Sequence, residues 1–117
     1  VRKVLIADDN EDAAQTLAML LEVFGHEVVV AHDGEQALER FAGHHPDFAL
    51  LDIGMPGLDG YEVARRIRAM GAPVTLIALT GWGQAADKAR AREAGFDLHF
   101  TKPVDPDRII ELLATRH

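Results

Sequence analysis

Five short apolar runs alternate with five stretches of helical periodicity, and this alternation restricts the chain to a parallel α/β architecture. The runs are Val4-Leu5-Ile6-Ala7, Val28-Val29-Val30-Ala31, Phe48-Ala49-Leu50-Leu51, Val74 to Leu79, and Leu98-His99-Phe100. Unbroken apolar runs of this length suit strands covered on both faces. After each run, apolar residues recur every three or four positions, as an amphipathic helix requires. They are Ala13, Leu17, Leu20, Leu21 and Phe24, then Ala37, Leu38 and Phe41, then Val63, Ile67 and Met70. An Ala-rich helix is expected from about Gln84 to Ala94, and a last one through Ile109, Leu112 and Leu113. Gly25, Gly43, Gly71 and Gly95 stand where the first four helices are expected to stop. Asp33-Gly34-Glu35-Gln36 reads as a capping box, and Asp59 and the Asp105-Pro106-Asp107 segment read as helix caps. The pattern is (βα)₅: a parallel sheet with helices on both faces, joined by right-handed crossovers.

A chain of 117 residues is expected to form one domain, 1–117, with no linker and no repeat beyond the βα unit. No apolar run approaches the ~20 residues that span a bilayer, and no leader precedes the first strand, so neither membrane contact nor secretion is expected. Cysteine is absent, which excludes disulfides and thiolate metal sites and fits a cytoplasmic setting. Twelve basic residues against nineteen acidic ones give a net charge of -7. Such a domain does not grip nucleic acid by charge alone. Its excess acid is either a solvated surface or part of a cation site.

The positions of the acids favour the second. In a parallel sheet all strand C-termini lie along one edge, where ligands bind. Asp8-Asp9, Asp52, Thr80 and Lys102 follow four of the five strands; His32 and Asp33 follow the second. One Asp or Thr after a strand is an ordinary helix cap. Three carboxylates brought together repel unless one takes up a proton or a cation joins them. A hard divalent ion such as Mg²⁺ accepts one or two carboxylates and keeps waters or phosphate oxygens for its remaining positions. Lys102 adds a positive point charge and Thr80 a neutral donor, so further negative charge can be accommodated there.

With these residues in place the chain resembles a response-regulator receiver domain over its whole length. The matching pieces are Asp8-Asp9, Asp52, the loop Met55-Pro56-Gly57-Leu58-Asp59-Gly60, Thr80-Gly81 and Lys102-Pro103, in order on the expected strand ends. The resemblance implies a flavodoxin-like, doubly wound parallel sheet of strand order 2-1-3-4-5, with a cis Lys102–Pro103 peptide. It implies that Asp52 is the phosphoacceptor, taking a phosphoryl group from a phosphohistidine on a sensor histidine kinase or histidine phosphotransfer protein, or from a small donor such as acetyl phosphate. Asp9, Asp52 and the Gly54 backbone carbonyl would hold Mg²⁺, with Mn²⁺ as the alternative ion, and Asp8 would act through water. Lys102 would pair with Asp52 and then with the phosphate, Thr80 would donate to a phosphate oxygen, and Gly81 would let the backbone approach. The chain would thereby catalyse its own phosphorylation. The change would spread from Thr80 to the face of the fourth helix, fifth strand and fifth helix, where Ala85, Ala86, Ala89, Ala91 and Ala94 bury little area.

Several positions depart from the family pattern. His99 stands where an aromatic switch residue is usual; it is either a smaller switch that titrates near neutrality or a plain polar surface residue, and the second reading is preferred. Gly54 and Trp82 flank the reacting group without orienting a water, so slow self-dephosphorylation is expected, and Trp82 is a candidate partner anchor. His26, His32, His44, His45 and His117 read as solvated residues on turns and ends, and Tyr61 as partly packed. Competing functions fit less well. An aspartyl-phosphate phosphatase needs Asp-x-Asp after the first strand, where this chain has Asp8-Asp9-Asn10. A flavin module needs a phosphate loop there, which the acid pair would repel. A degenerate receiver used only for docking would lack one of Asp8, Asp9, Asp52, Thr80 and Lys102. The expected output is either that of a stand-alone shuttle or that of a receiver from a hybrid kinase, acting on a downstream protein or fused kinase domains. The segments 78–83 and 101–106 favour the hybrid kinase, and no direct contact with nucleic acid is expected.

Overall fold

A computed structural model of the chain describes residues 2–55, 57–80, 88–102 and 104–115. Strands β1 (Lys3–Ala7), β2 (Glu27–Ala31), β3 (Phe48–Asp52), β4 (Thr75–Thr80) and β5 (Leu98–Thr101) alternate with helices α1 (Glu11–Val23), α2 (Gly34–His44), α3 (Gly60–Ala69), α4 (Lys88–Ala94) and α5 (Pro106–Thr115). The sheet is parallel throughout, in the order β2-β1-β3-β4-β5. The reversal of direction lies between β1 and β3, so Asp8 and Asp52 emerge side by side at the switch point.

Alternation of side chains along each strand divides the apolar runs between two cores. Leu5, Ala7, Ala49, Leu51, Leu76 and Ala78 face α2, α3 and α4. Val4, Ile6, Phe48, Leu50, Ile77 and Leu79 face α1 and α5.

Some sequence expectations need correction. The core face of α1 is Ala14, Ala18 and Leu21; Ala13 and Phe24 are exposed, and Leu17 and Leu20 are half-buried. Two alanines on the inner face let the helix lie close to the sheet, which turns the larger residues towards its flank. Gly25, Gly71 and Gly95 take the expected left-handed conformation, with φ of 90°, 76° and 109°. Gly43 does not: α2 runs one residue further and His45 is the left-handed cap, at φ 49°. Pro46 follows it and excludes continued right-handed helix there. Met70 caps α3 and is exposed rather than core. Val74 precedes β4 because its carbonyl is taken by Arg68 Nη1 at 2.9 Å. The Asp33 cap holds, accepting from Gln36 N–H at 2.8 Å. The returning bond from Gln36 goes to His32 N–H at 3.0 Å, one residue before the cap. Asp105 caps α5 by accepting from Asp107 N–H at 3.0 Å. The start of the fourth helix at Gln84, Ala85, Ala86, His117 and the cis geometry at Pro103 lie outside the described residues.

Candidate functional site

Backbone pairing that continues past the strand ends delivers the site residues. Asp8 N–H donates to Ala31 O at 3.0 Å, Ile53 N–H to Leu79 O at 3.1 Å, and Lys102 N–H to Thr80 O at 2.7 Å. Asp8, Asp52 and Lys102 are therefore placed by the sheet itself. Asp8 and Asp52 are almost fully buried and Asp9 is exposed. One carboxylate oxygen from each of Asp8, Asp9 and Asp52 lies within 4.8 Å of the others.

Lys102 bridges the two buried acids. Its Nζ is 2.9 Å from Asp8 Oδ2 and 3.1 Å from Asp52 Oδ2. The remaining oxygens are also engaged: Asn10 N–H donates to Asp8 Oδ1 and Gly54 N–H to Asp52 Oδ1, each at 3.0 Å. Burial alone would pull the Lys102 ammonium towards a lower pKa; hydrogen bonds and charge from Asp8 and Asp52 outweigh it, and the pKa is raised above its ordinary 10.5. Lys102 is thus a fixed positive charge at any physiological pH. Three carboxylates against one ammonium leave two negative charges, the complement of one divalent cation, and oxygen-only donors suit Mg²⁺. The acidic cluster of Asp8, Asp9 and Asp52 therefore fits the ion.

Thr80 is buried, and its hydroxyl donates to Phe100 O at 3.4 Å, a long bond across to β5. His99, on β5, is half-buried, and its Nε2 is buried without a hydrogen-bond partner among the described residues. His99 lies on the same sheet face as its register partner Ala78 and also lines a surface groove with Phe100 and Arg108. Gly54 reaches the site through its N–H, and a Cβ there would lie 3.8 Å from Asp52 Oδ1. Gly81, Trp82 and Pro103 lie outside the described residues.

Four residues make contacts around the site that the sequence does not foresee. Asn10 caps α1, accepting from Ala13 N–H at 3.1 Å, while its own N–H holds Asp8. His32 is not merely solvated: its Nδ1 is 3.3 Å from Asp8 O and its Nε2 3.6 Å from Glu11 Oε1. Gly60 N–H donates to Ile53 O at 3.2 Å, and a Cβ on Gly60 would lie 2.7 Å from Asp52 O. Gly34 is packed as tightly against Leu58 O. The signal for Asn10 was its place before an amphipathic stretch; the other contacts are long-range and leave none. A groove of about 690 Å³ opens from Asp8 and Lys102 and runs between α1 and the segment before α5, lined by Leu17, Leu20, Leu79 and Val104.

A doubly wound parallel sheet with buried acids and a bridging lysine at its carboxyl edge defines a flavodoxin-like signalling domain of the CheY type. The comparisons take this further. The family model of the response regulator receiver domain matches residues 4–114, and the chain belongs to that family, the receivers of two-component signalling. It is 42% identical over 107 residues to a probable transcriptional regulator, ycf27, of Guillardia theta, covering 92% of this chain and 42% of that protein. It is 35% identical over 108 residues to the alkaline phosphatase synthesis transcriptional regulatory protein PhoP of Bacillus subtilis, covering 92% of this chain and 45% of that one. The chain thus spans less than half the length of these relatives. Among solved structures, a Francisella response regulator receiver domain superposes with a TM-score of 0.88 at 30% identity, covering 97% of this chain and 94% of that one. The N-terminal domain of a Wolinella succinogenes protein gives 0.90 at 35% identity, covering 97% and 92%. Among the described residues no helix is long and apolar enough to cross a membrane.

Proposed function

We propose that the chain is a working phosphoacceptor, modified on Asp52 by a phosphohistidine of a sensor kinase or histidine phosphotransfer protein. The observation that carries this is the single ammonium of Lys102 shared by Asp8 and Asp52 at 2.9 and 3.1 Å. An Asp52 oxygen attacks phosphorus, the bond from phosphorus to the donor nitrogen breaks, and the donor imidazole leaves with the electron pair. Phosphoryl transfer is mostly positioning and neutralisation, and the site offers both. Asp9, Asp52 and the Gly54 carbonyl would hold Mg²⁺, with Asp8 acting through water, and the ion would supply charge neutralisation for the transferring group. Lys102 exchanges its bond to Asp52 for one to the phosphate. Thr80 leaves the Phe100 carbonyl for a phosphate oxygen, which carries the change to β5 and to His99. The groove along α1 begins at Asp8 and Lys102, the two residues that flank Asp52.

The first experiment is intact-mass measurement after incubation with acetyl phosphate and Mg²⁺, with Asp52→Asn and EDTA as controls. One added phosphoryl group, absent in both controls, is expected. No added mass, together with no response to beryllofluoride in Trp82 fluorescence, would replace this reading with a receiver that docks without phosphorylation.

A further inference from the structure

Helix α4 is fastened unequally along its length. At its C-terminal end Arg68 of α3 forms a clamp: Nε donates to Gly95 O at 2.9 Å, Nη1 to Val74 O at 2.9 Å, and Nη2 to Asp97 Oδ2 at 2.6 Å. The same Asp97 oxygen accepts from Leu76 N–H at 2.9 Å, tying the clamp to the sheet. Gly95 lies so close that a Cβ there would stand 2.6 Å from Arg68 Cγ. Ala94 is buried at this same end, and ahead of it the described apolar seat of α4 is Ala91 alone. Arg90 adds a contact there, its guanidinium carbon sitting 4.2 Å above the centre of the Tyr61 ring. Tyr61 is 2% exposed and meets Phe96 edge-on at 6.4 Å. A clamp of charge-assisted hydrogen bonds is strong. A single cation–π contact at an exposed arginine shifts an equilibrium by roughly two- to fivefold.

Tyr61 is also joined to the acidic site. Its neighbour Gly60 rests on the Asp52 backbone, with room for no Cβ against Asp52 O, and bonds Ile53 O at 3.2 Å. A shift of the Asp52 main chain therefore pushes on the first turn of α3, which carries the ring that Arg90 covers.

We propose that Arg90 on Tyr61 is a latch holding α4 in its resting seat, released when Asp52 is phosphorylated, while the Arg68 clamp keeps the other end in place as the pivot. The coupling half of this inference rests on the phosphoacceptor reading above. The latch itself does not.

Hydrogen exchange of the α4 amides, followed by mass spectrometry, tests the latch in the unmodified protein. Arg90→Ala is expected to speed exchange across residues 88–94 by roughly two- to fivefold, while Arg92→Ala, also on α4, leaves it unchanged. Beryllofluoride affinity, read by fluorescence of Trp82, the single tryptophan, tests the coupling. A latch that opposes the activated state makes Arg90→Ala bind the mimic tighter by the same factor, because the two equilibria are linked. Unchanged exchange in Arg90→Ala overturns the latch. Faster exchange with unchanged affinity overturns the coupling. Wild-type protein that binds no beryllofluoride overturns the reading of Asp52, and the exchange result still decides the latch.

Discussion

Lys102 and the three aspartates show how one residue decides the state of the whole site. Without a cation, Lys102 serves two buried carboxylates and Asp9 adds a third charge from the exposed side. On the metal-binding role proposed for it, Asp9 costs stability whenever no cation offsets the three neighbouring carboxylates. Asp9→Asn is expected to raise the urea midpoint of the Mg²⁺-free protein. Mg²⁺ at a hundredfold excess over Kd should stabilise the wild type by ~2.7 kcal/mol and the variant by clearly less. A variant that is less stable without Mg²⁺, or gains as much from it, would contradict this assignment. Gly60 offers a second test. A methyl group there meets the Asp52 carbonyl, so Gly60→Ala should lose about 1–3 kcal/mol in urea unfolding and slow phosphoryl uptake from acetyl phosphate. The acids, Thr80 and Lys102 could be read from the sequence because each stands within two positions of the end of an apolar run. His32 and Gly60 could not, since their partners, Asp8 and Asp52, lie 24 and 8 positions away in the chain.

Elements were legible where punctuation and periodicity agreed. Asp33 and Asp59 cap α2 and α3 as expected, and three of four glycines stop their helices because only they adopt positive φ at little cost. The face of α1 was misread, because its sequence is apolar over too wide an arc for periodicity to choose the inner side. Packing chose the alanines. The joint between β1 and β2 carries a pH dependence. His26 Nδ1 accepts the Arg2 N–H at 3.2 Å, which protonation would forbid. Burial first, and then nearby positive charge including Arg2, lowers its pKa below 6.5. The unfolded chain thus takes up a proton on His26 at a higher pH than the folded one. Its contribution is complete above 6.5 and declines as pH falls from there through the lower folded value. The thermal midpoint of the wild type should fall more than that of His26→Gln between about pH 7 and pH 5. Parallel falls would remove His26 as the cause.

Across the whole molecule the sheet ties two separate cores into one structure. Leu50 and Leu51 are neighbours in β3, both fully buried, yet belong to opposite faces. Leu50→Ala and Leu51→Ala should each cost about 2–5 kcal/mol. In both variants circular dichroism and Trp82 fluorescence should still report one coincident unfolding transition. Separate transitions would mean that the faces unfold independently. The sequence by itself determined the succession of strands and helices, the edge that receives the polar residues and the chemistry of those residues. These follow from local periodicity, capping and the common direction of parallel strands. Only the tertiary structure decided that Lys102 serves Asp8 as well as Asp52, that His32 reaches the Asp8 carbonyl, and that Arg90 covers Tyr61. Those contacts join residues far apart in the chain, and their geometry is set by how closely the helices settle on the sheet, which no local pattern encodes.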